Sequence, residues 1–144
     1  MIRRAERKDA ETLAALAIRM WTGHTPEELT EEFRTLLEHP DAACFLQYVD
    51  GTPVAFAQCQ LRHDYVEGTD SSPVGYLEGV FVAEGYRRNG YAAALLHACE
   101  QWAKEKGCTE FASDCELDNA ESLRFHRAVG FTEANRIICF QKKL

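Results

Sequence analysis

The chain has 144 residues, 46% of them hydrophobic, and its 16 Lys and Arg against 23 Asp and Glu give a formal net charge of -7. That is enough apolar material for one packed domain over residues 1–144. The acidic balance argues against a nucleic-acid partner, which needs a basic face, and favours a cationic substrate steered toward a negative cleft.

MIRRA, residues 1–5, predicts a short first strand. Residues 8–20 carry Leu13, Leu16, Ile18 and Met20 among alanines, a helical pattern. A second helix starts at TPEELTEEF: Thr25 with Glu28 three residues on predicts a capping box, and Pro26 sits at the favoured first helical position. Leu29, Phe33, Leu36 and Leu37 then make one apolar stripe. ACFLQYV and PVAFAQCQLRH read as strands joined by a hairpin turn at Asp50-Gly51. Residues 64–73 are a polar loop. VGYLEGVFV, residues 74–82, is a strand interrupted by Gly79, which predicts a bulge or a close backbone approach. A helix follows from about Gly90 to Lys106 and stops at Gly107. TEFASD is the next strand, NAESLRFHRAVG a helix ended by Gly130, and FTEANRIICFQKKL closes the chain as strand. The order β-α-α-β-β-β-α-β-α-β predicts an α/β or α+β fold, a mixed sheet flanked by helices.

No apolar run approaches the ~20 residues that span a bilayer, and the charged N-terminus lacks the apolar core of a signal peptide. A cytoplasmic protein without a membrane partner is the expectation. Cys44, Cys59, Cys99, Cys108, Cys115 and Cys139 include no Cys-x-x-Cys pair. They read as free thiols, mostly buried, and neither Cys nor His spacing fits a metal site.

The segment RRNGYA, between the strand at 74–82 and the following helix, has the makings of an anion site. The first N–H groups of a helix lack partners and its dipole end is positive. Gly90 permits an unusual dihedral, and Arg87 and Arg88 add donors suited to phosphate. Neither the P-loop pattern nor the dinucleotide fingerprint is met.

GVFVAEGYRRNGYAAALL resembles the acetyl-CoA-binding motif of the GNAT (Gcn5-related) N-acetyltransferases, whose Arg/Gln-x-x-Gly-x-Gly/Ala stands here as Arg87-x-x-Gly90-x-Ala92. A second landmark of that family, a helix with Asn at its start and Gly-Phe after its end, is NAESLRFHRAVGF. MWTGH, LRHDYVEGTDSSPVGYLEGVFV and FASDCELDN are further similar to the aminoglycoside 6′-N-acetyltransferases of the same family. The resemblance implies a GNAT fold with a splayed strand pair, acetyl-CoA as co-substrate, and direct transfer of the acetyl group to an amine. It implies that the backbone of Val80, Phe81 and Val82 meets the pantetheine arm, one N–H acting as an oxyanion donor. Arg87, Arg88, Asn89, Gly90, Tyr91 and Ala92 would hold the CoA phosphates. Asn119 would contact the cofactor, its alternative role being a helix cap. His126 stands where many family members carry a tyrosine that protonates the departing thiolate. It would donate that proton, hydrogen-bond the sulfur, or fill space. On the acceptor side the resemblance points to Glu78 and Asp114, with Asp70, Glu116 and Asp118 as an acidic rim. Trp21, His24, Tyr65 and Asn135 match or neighbour substrate-contacting positions, and Glu133 lies beside the last of these. A homodimer is also implied. Two rival readings are an acetyltransferase for a polyamine or other metabolite amine, and a non-catalytic acetyl-CoA-binding module.

Overall fold

The computed structural model describes residues 1–144. Its elements are β1 (Ile2–Arg4), α1 (Ala10–Ala17), α2 (Pro26–Glu38), β2 (Ala42–Val49), β3 (Thr52–Arg62), β4 (Val74–Val82), α3 (Tyr91–Glu105), β5 (Phe111–Ser113) and α4 (Ala120–Ala128). The strands form one sheet in the order β1-β2-β3-β4-β5. The first three pairings are antiparallel and β4–β5 is parallel.

Local chemistry explains most element boundaries. Asp50 and Gly51 both adopt positive φ, 49° and 78°, between the paired residues Val49 and Thr52. That is the two-residue turn whose twist suits a hairpin. Thr25 caps α2 by accepting from the Glu28 N–H at 3.1 Å, with Pro26 in the first turn. Only this half of the expected capping box forms; the Glu28 carboxylate turns to His24 Nδ1, 3.7 Å away.

Helices cover both sheet faces. On one face α1 and α2 bury Leu13, Leu16, Leu29 and Phe33 against Leu46, Phe56 and Phe81. On the other, α3 buries Leu95, Leu96, Cys99 and Trp102 against Cys59 and Leu77, and Phe125, Val129 and Phe131 in and after α4 pack there too. β3 runs through the middle, so Val54, Ala55, Phe56 and Ala57 are all buried. This is why its sequence reads as a continuous apolar run rather than an alternation.

Two expectations are corrected. The first helix is shorter than residues 8–20: a 3-10 turn at Arg7–Asp9 precedes α1. Beyond Ala17 the chain tightens into i→i−3 bonds from Arg19 to Leu16 and from Met20 to Ala17. The closing strand FTEANRIICFQKKL does not form: residues 132–144 make no backbone hydrogen bond to any strand, so no ladder holds them. Its residues Ile137, Ile138 and Phe140 stand 69%, 80% and 90% exposed.

The chain's entry into the fold is fixed by one buried charge. Asp9 is 5% exposed. Its two carboxylate oxygens accept from Arg3 at 2.7 and 2.8 Å, and one also accepts the Glu6 N–H at 2.7 Å. Arg3 donates in addition to the Tyr48 hydroxyl at 2.9 Å and stacks over that ring. The Arg3 hydrogen bonds hold the Asp9 carboxyl below the usual carboxylate range. A depressed native pKa contributes stability above the unfolded value, which is lost as pH falls through the carboxylate range. Asp9→Ala is expected to cost about 2–4 kcal/mol near neutrality. The gap to wild type should narrow in acid. Urea unfolding of both proteins across that pH range measures it.

Candidate active site

The site is organised by the short pairing of β4 with β5. Gly75, Tyr76 and Leu77 pair with Phe111, Ala112 and Ser113, and there the ladder stops. β4 continues to Val82 with its β5-facing edge unpaired. A register shift on the β3 side leaves Glu78 as the extra residue between Leu77, opposite Cys59, and Gly79, opposite Gln58. The predicted bulge and the predicted close approach both occur here. A Cβ on Gly79 would lie 2.8 Å from Trp21 Cζ2 and 3.3 Å from Met20 Cε.

Backbone direction then decides which groups enter the parting. Ala83 N–H donates to Val54 C=O, so Ala83 faces β3. By alternation Val82 and Val80 face away from β3, into the parting, while Phe81 faces β3. The Val82 carbonyl accordingly accepts from Arg87 Nε at 3.1 Å. The Phe81 side chain is buried beside Phe56. Of the three expected backbone contacts, only Val80 and Val82 present their polar groups to the parting.

Past Val82 the chain makes a tight loop into α3. Gly85, Arg88 and Gly90 have φ of 90°, 65° and 78°, Gly90 being the residue before the first helical one. The first helical bond runs from Ala94 N–H to Gly90 C=O. The N–H groups of residues 87–93, which include Asn89, Tyr91 and Ala92, donate to no backbone carbonyl. A Cβ on Gly90 would meet nothing within 4 Å, so the positive φ, and not crowding, calls for glycine. Arg88 is exposed. The exposed Asn89 side chain folds back on its own loop, donating to the carbonyls of Tyr86 and Arg87, and so shapes it.

α4 follows β5 on the same face. Asn119 caps it, its Oδ1 accepting from Ser122 N–H at 3.0 Å. His126 lies half-buried between Phe125 and Phe131. Its Nδ1 is 2.7 Å from the Ser122 carbonyl oxygen and its Nε2 is 2.7 Å from Ser113 Oγ.

On the opposite face of the sheet, four side chains join in a row. Arg62 grips both oxygens of Glu78 at 2.8 to 3.0 Å. Its guanidinium lies 3.4 Å above the centre of the Tyr76 ring. The Tyr76 hydroxyl is hydrogen-bonded to Asp114. Burial, and next this bond, push the Tyr76 hydroxyl above its ordinary pKa, so it stays a donor. Glu78 and Asp114 are thereby linked, and Trp21 covers Gly79 on the same face, edge-on to Phe56. Sequence reasoning did not single out Arg62, Tyr76 or Ser113. Arg62 stands in the unexplained segment LRHDYV, and Tyr76 is two residues from Glu78, the spacing that puts strand residues on one face.

The remaining expected residues lie further out. Tyr65 is 77% exposed. Asp70 is exposed, with its N–H held by Glu110. Asn135 donates to Glu67 at 3.1 Å, which ties the C-terminal segment to the loop carrying Tyr65 and Asp70. His24 is exposed beside Glu28, and Glu116 and Asp118 are exposed. Glu133 bonds Arg127 and Arg136. No group of three or more His, Cys, Asp or Glu side chains is arranged to hold a metal ion.

Comparison with known proteins narrows the chemistry. The acetyltransferase (GNAT) family model matches residues 10–131. An aminoglycoside N(6′)-acetyltransferase type 1 of Serratia marcescens is 44% identical over 131 residues, covering 90% of each chain. The protein so named in Salmonella typhimurium is 37% identical over 142 residues, covering 99% of this chain and 98% of its own. The structure of the aminoglycoside N-acetyltransferase AAC(6′)-Iy with CoA superposes with a TM-score of 0.96 at 37% identity, over 100% of this chain and 95% of its own. The same enzyme with a bisubstrate analogue, CoA-S-monomethyl-acetylneamine, gives 0.95 at 37% identity, over 100% and 98%.

The contact of Trp21 with Gly79 is open to direct test. Gly79→Val should displace the indole and shift tryptophan emission to longer wavelength. It should also cost about 1–3 kcal/mol of stability from overpacking, measured by fluorescence and urea unfolding.

Proposed function

This chain belongs to the acetyltransferase (GNAT) family, and we propose that it transfers the acetyl group of acetyl-CoA to the 6′-amino group of aminoglycoside antibiotics. The transfer is direct, within a ternary complex, and confers resistance. The observation that carries this reading is the pairing of two sites of opposite character across the β4–β5 parting. Unpaired N–H groups and arginines lie on the α3–α4 side, and linked carboxylates lie on the α1–α2 side. The full-length likeness to an enzyme bound to a CoA–acetylneamine analogue supports it.

The residues fit acetyl-CoA. The free N–H groups from Arg87 through Gly90, Tyr91 and Ala92, with the two arginine side chains, make a cradle for a polyanion. Asn89 keeps that cradle in shape. Val80 and Val82 offer the pantetheine arm a strand edge to pair with, and one of their N–H groups is the oxyanion donor. Phe81 serves by packing, and Asn119 by fixing the start of α4 beside the cofactor. Acetyl-CoA supplies an activated thioester.

On the other face, Glu78 and Asp114 attract the ammonium groups of the drug and orient the amine that attacks. They help remove its proton directly or through water. Trp21 walls the amine's approach, and Tyr65, Asp70, His24 and Asn135 line the outer approach for the sugar rings. Residues 1–144 act as one catalytic domain. Its setting is the cytoplasm, which suits six cysteines without a disulfide.

The protein works as a homodimer. The extended segment with Ile137, Ile138 and Phe140 exposed, together with the unpaired outer edge of β5, supports self-association through the C-terminal segment. Phe140→Asp combined with Ile138→Lys should convert a dimer to a monomer by light scattering at equal concentration. A wild-type protein that is itself monomeric would remove the dimer.

The activity is tested by free CoA release with kanamycin-type drugs, polyamines and peptides side by side. Turnover should be fastest with the drugs. Glu78→Gln and Asp114→Asn should each lower kcat/KM about 10- to 1,000-fold. Turnover of another amine with none on any aminoglycoside would overturn the proposal.

A further inference from the structure

We propose that Ser113 is the proton donor to the departing CoA thiolate, and that His126 acts through it. The proposal rests on the reading that acetyl-CoA lies in the β4–β5 parting. It begins from the hydrogen bonds of His126. A carbonyl oxygen only accepts, so Nδ1, 2.7 Å from the Ser122 carbonyl, carries a proton. The ring is held in that orientation by Phe125 and Phe131, at centroid distances of 5.6 and 5.1 Å. Its remaining nitrogen, Nε2, is engaged with Ser113 Oγ at 2.7 Å. The imidazole thus has no free nitrogen to turn toward a sulfur.

Ser113 is placed where the imidazole is not. It is the last β5 residue paired with β4, and its Oγ lies 3.4 Å from the carbonyl of its partner Leu77. The next step along either strand is the parting itself. By strand alternation its side chain shares the α3–α4 face with Phe111, the face on which the phosphate cradle opens. A hydroxyl both donates and accepts, so it can take a proton from Nε2–H while giving its own away.

The balance is complete without another reactant. The amine nitrogen forms the new C–N bond, and the C–S bond breaks with its electron pair passing to sulfur. The step starts from the His126 imidazolium, with one proton on Nδ1 toward Ser122 and the second on Nε2 toward Ser113. The Ser113 hydroxyl proton goes to that sulfur, and the Nε2 proton of the imidazolium replaces it on Ser113 Oγ. His126 ends neutral, with Nδ1–H still on Ser122, and regains its proton from water. The excess proton of the amine leaves on the acceptor side. This arrangement supplies a donor in a chain that has histidine where many family members have tyrosine.

The test uses Ser113→Ala, Ser113→Thr and His126→Asn in the full chain. Ser113→Ala should lower kcat about 10- to 100-fold, with KM for acetyl-CoA within about twofold of wild type. Ser113→Thr, which keeps the hydroxyl, should restore most of the rate. The double variant Ser113→Ala/His126→Asn should be no slower than the slower single variant, as expected for groups acting in series. A second readout needs no amine: the thiol of bound CoA, followed by thiolate absorbance, should titrate about one unit higher in Ser113→Ala than in wild type. An unchanged thiol titration, or a raised KM with kcat preserved, would overturn the proposal. If the acceptor proves to be an amine other than an aminoglycoside, the kinetics are run with that amine and the titration stands as it is. Failure of wild type to bind CoA would end this proposal and the cofactor reading together.

Discussion

The ladder between β4 and β5 lasts three residues, and the rest of the site depends on where it ends. A parallel pair that continued would have consumed the outward N–H and C=O groups of Val80 and Val82. By stopping at Leu77 and Ser113 it leaves a polar strand edge facing a gap between two packed layers. An unpaired backbone inside a fold is costly unless something else satisfies it. Here Arg87 satisfies one carbonyl, and the rest of the edge is available to a ligand. Bulge and parting lie together on β4: Glu78 is inserted on the β3 side just where the β5 side comes free.

The parting also solves a charge problem. A polyanionic donor and a polycationic acceptor must meet, yet the residues that attract each would pair with one another if mixed. The sheet keeps them apart. Arg87, Arg88 and the α3 N-terminus stand on one side, and Glu78 and Asp114 on the other. The exception is Arg62, which places a guanidinium among the carboxylates. Its bidentate grip on Glu78 and its stack on Tyr76 fix both side chains, and Tyr76 in turn fixes Asp114. Arg62 therefore offsets charge while holding geometry, and Asp114 is the more exposed of the two carboxylates.

Strong local signals carried much of this into the sequence. Asp50-Gly51 announced its hairpin because few residues accept positive φ at both turn positions. Thr25-Pro26 announced the start of α2 for a comparable steric and hydrogen-bonding reason. Gly79 predicted an irregularity, and Gly90 a cradle. The family resemblance pointed to Glu78 and Asp114 as candidates and to the α3 entrance. Two local patterns misled. RIICF has the composition of a strand, but a strand needs a ladder partner, and this segment makes no backbone hydrogen bond to one. Residues 8–20 have a helical period, but the carboxylate of Asp9 is drawn to Arg3 and turns the first residues into a separate 3-10 turn.

The sequence by itself determined the order of the elements from β1 to α4 and the family, and it pointed to an acidic and a basic group of candidate site residues. These rest on local backbone preference and on motif spacing, both written along the chain. Only the tertiary structure decided that Phe81 turns its backbone to β3, that Arg62 and Tyr76 connect Glu78 to Asp114, and that His126 is saturated by Ser122 and Ser113. Apart from the contact of His126 with Ser122 inside α4, each of these depends on register and on pairs up to 38 residues apart. A hydrogen bond is a matter of which atoms meet within 3 Å or so, and that is set by strand pairing across the fold, not by the identity of either residue.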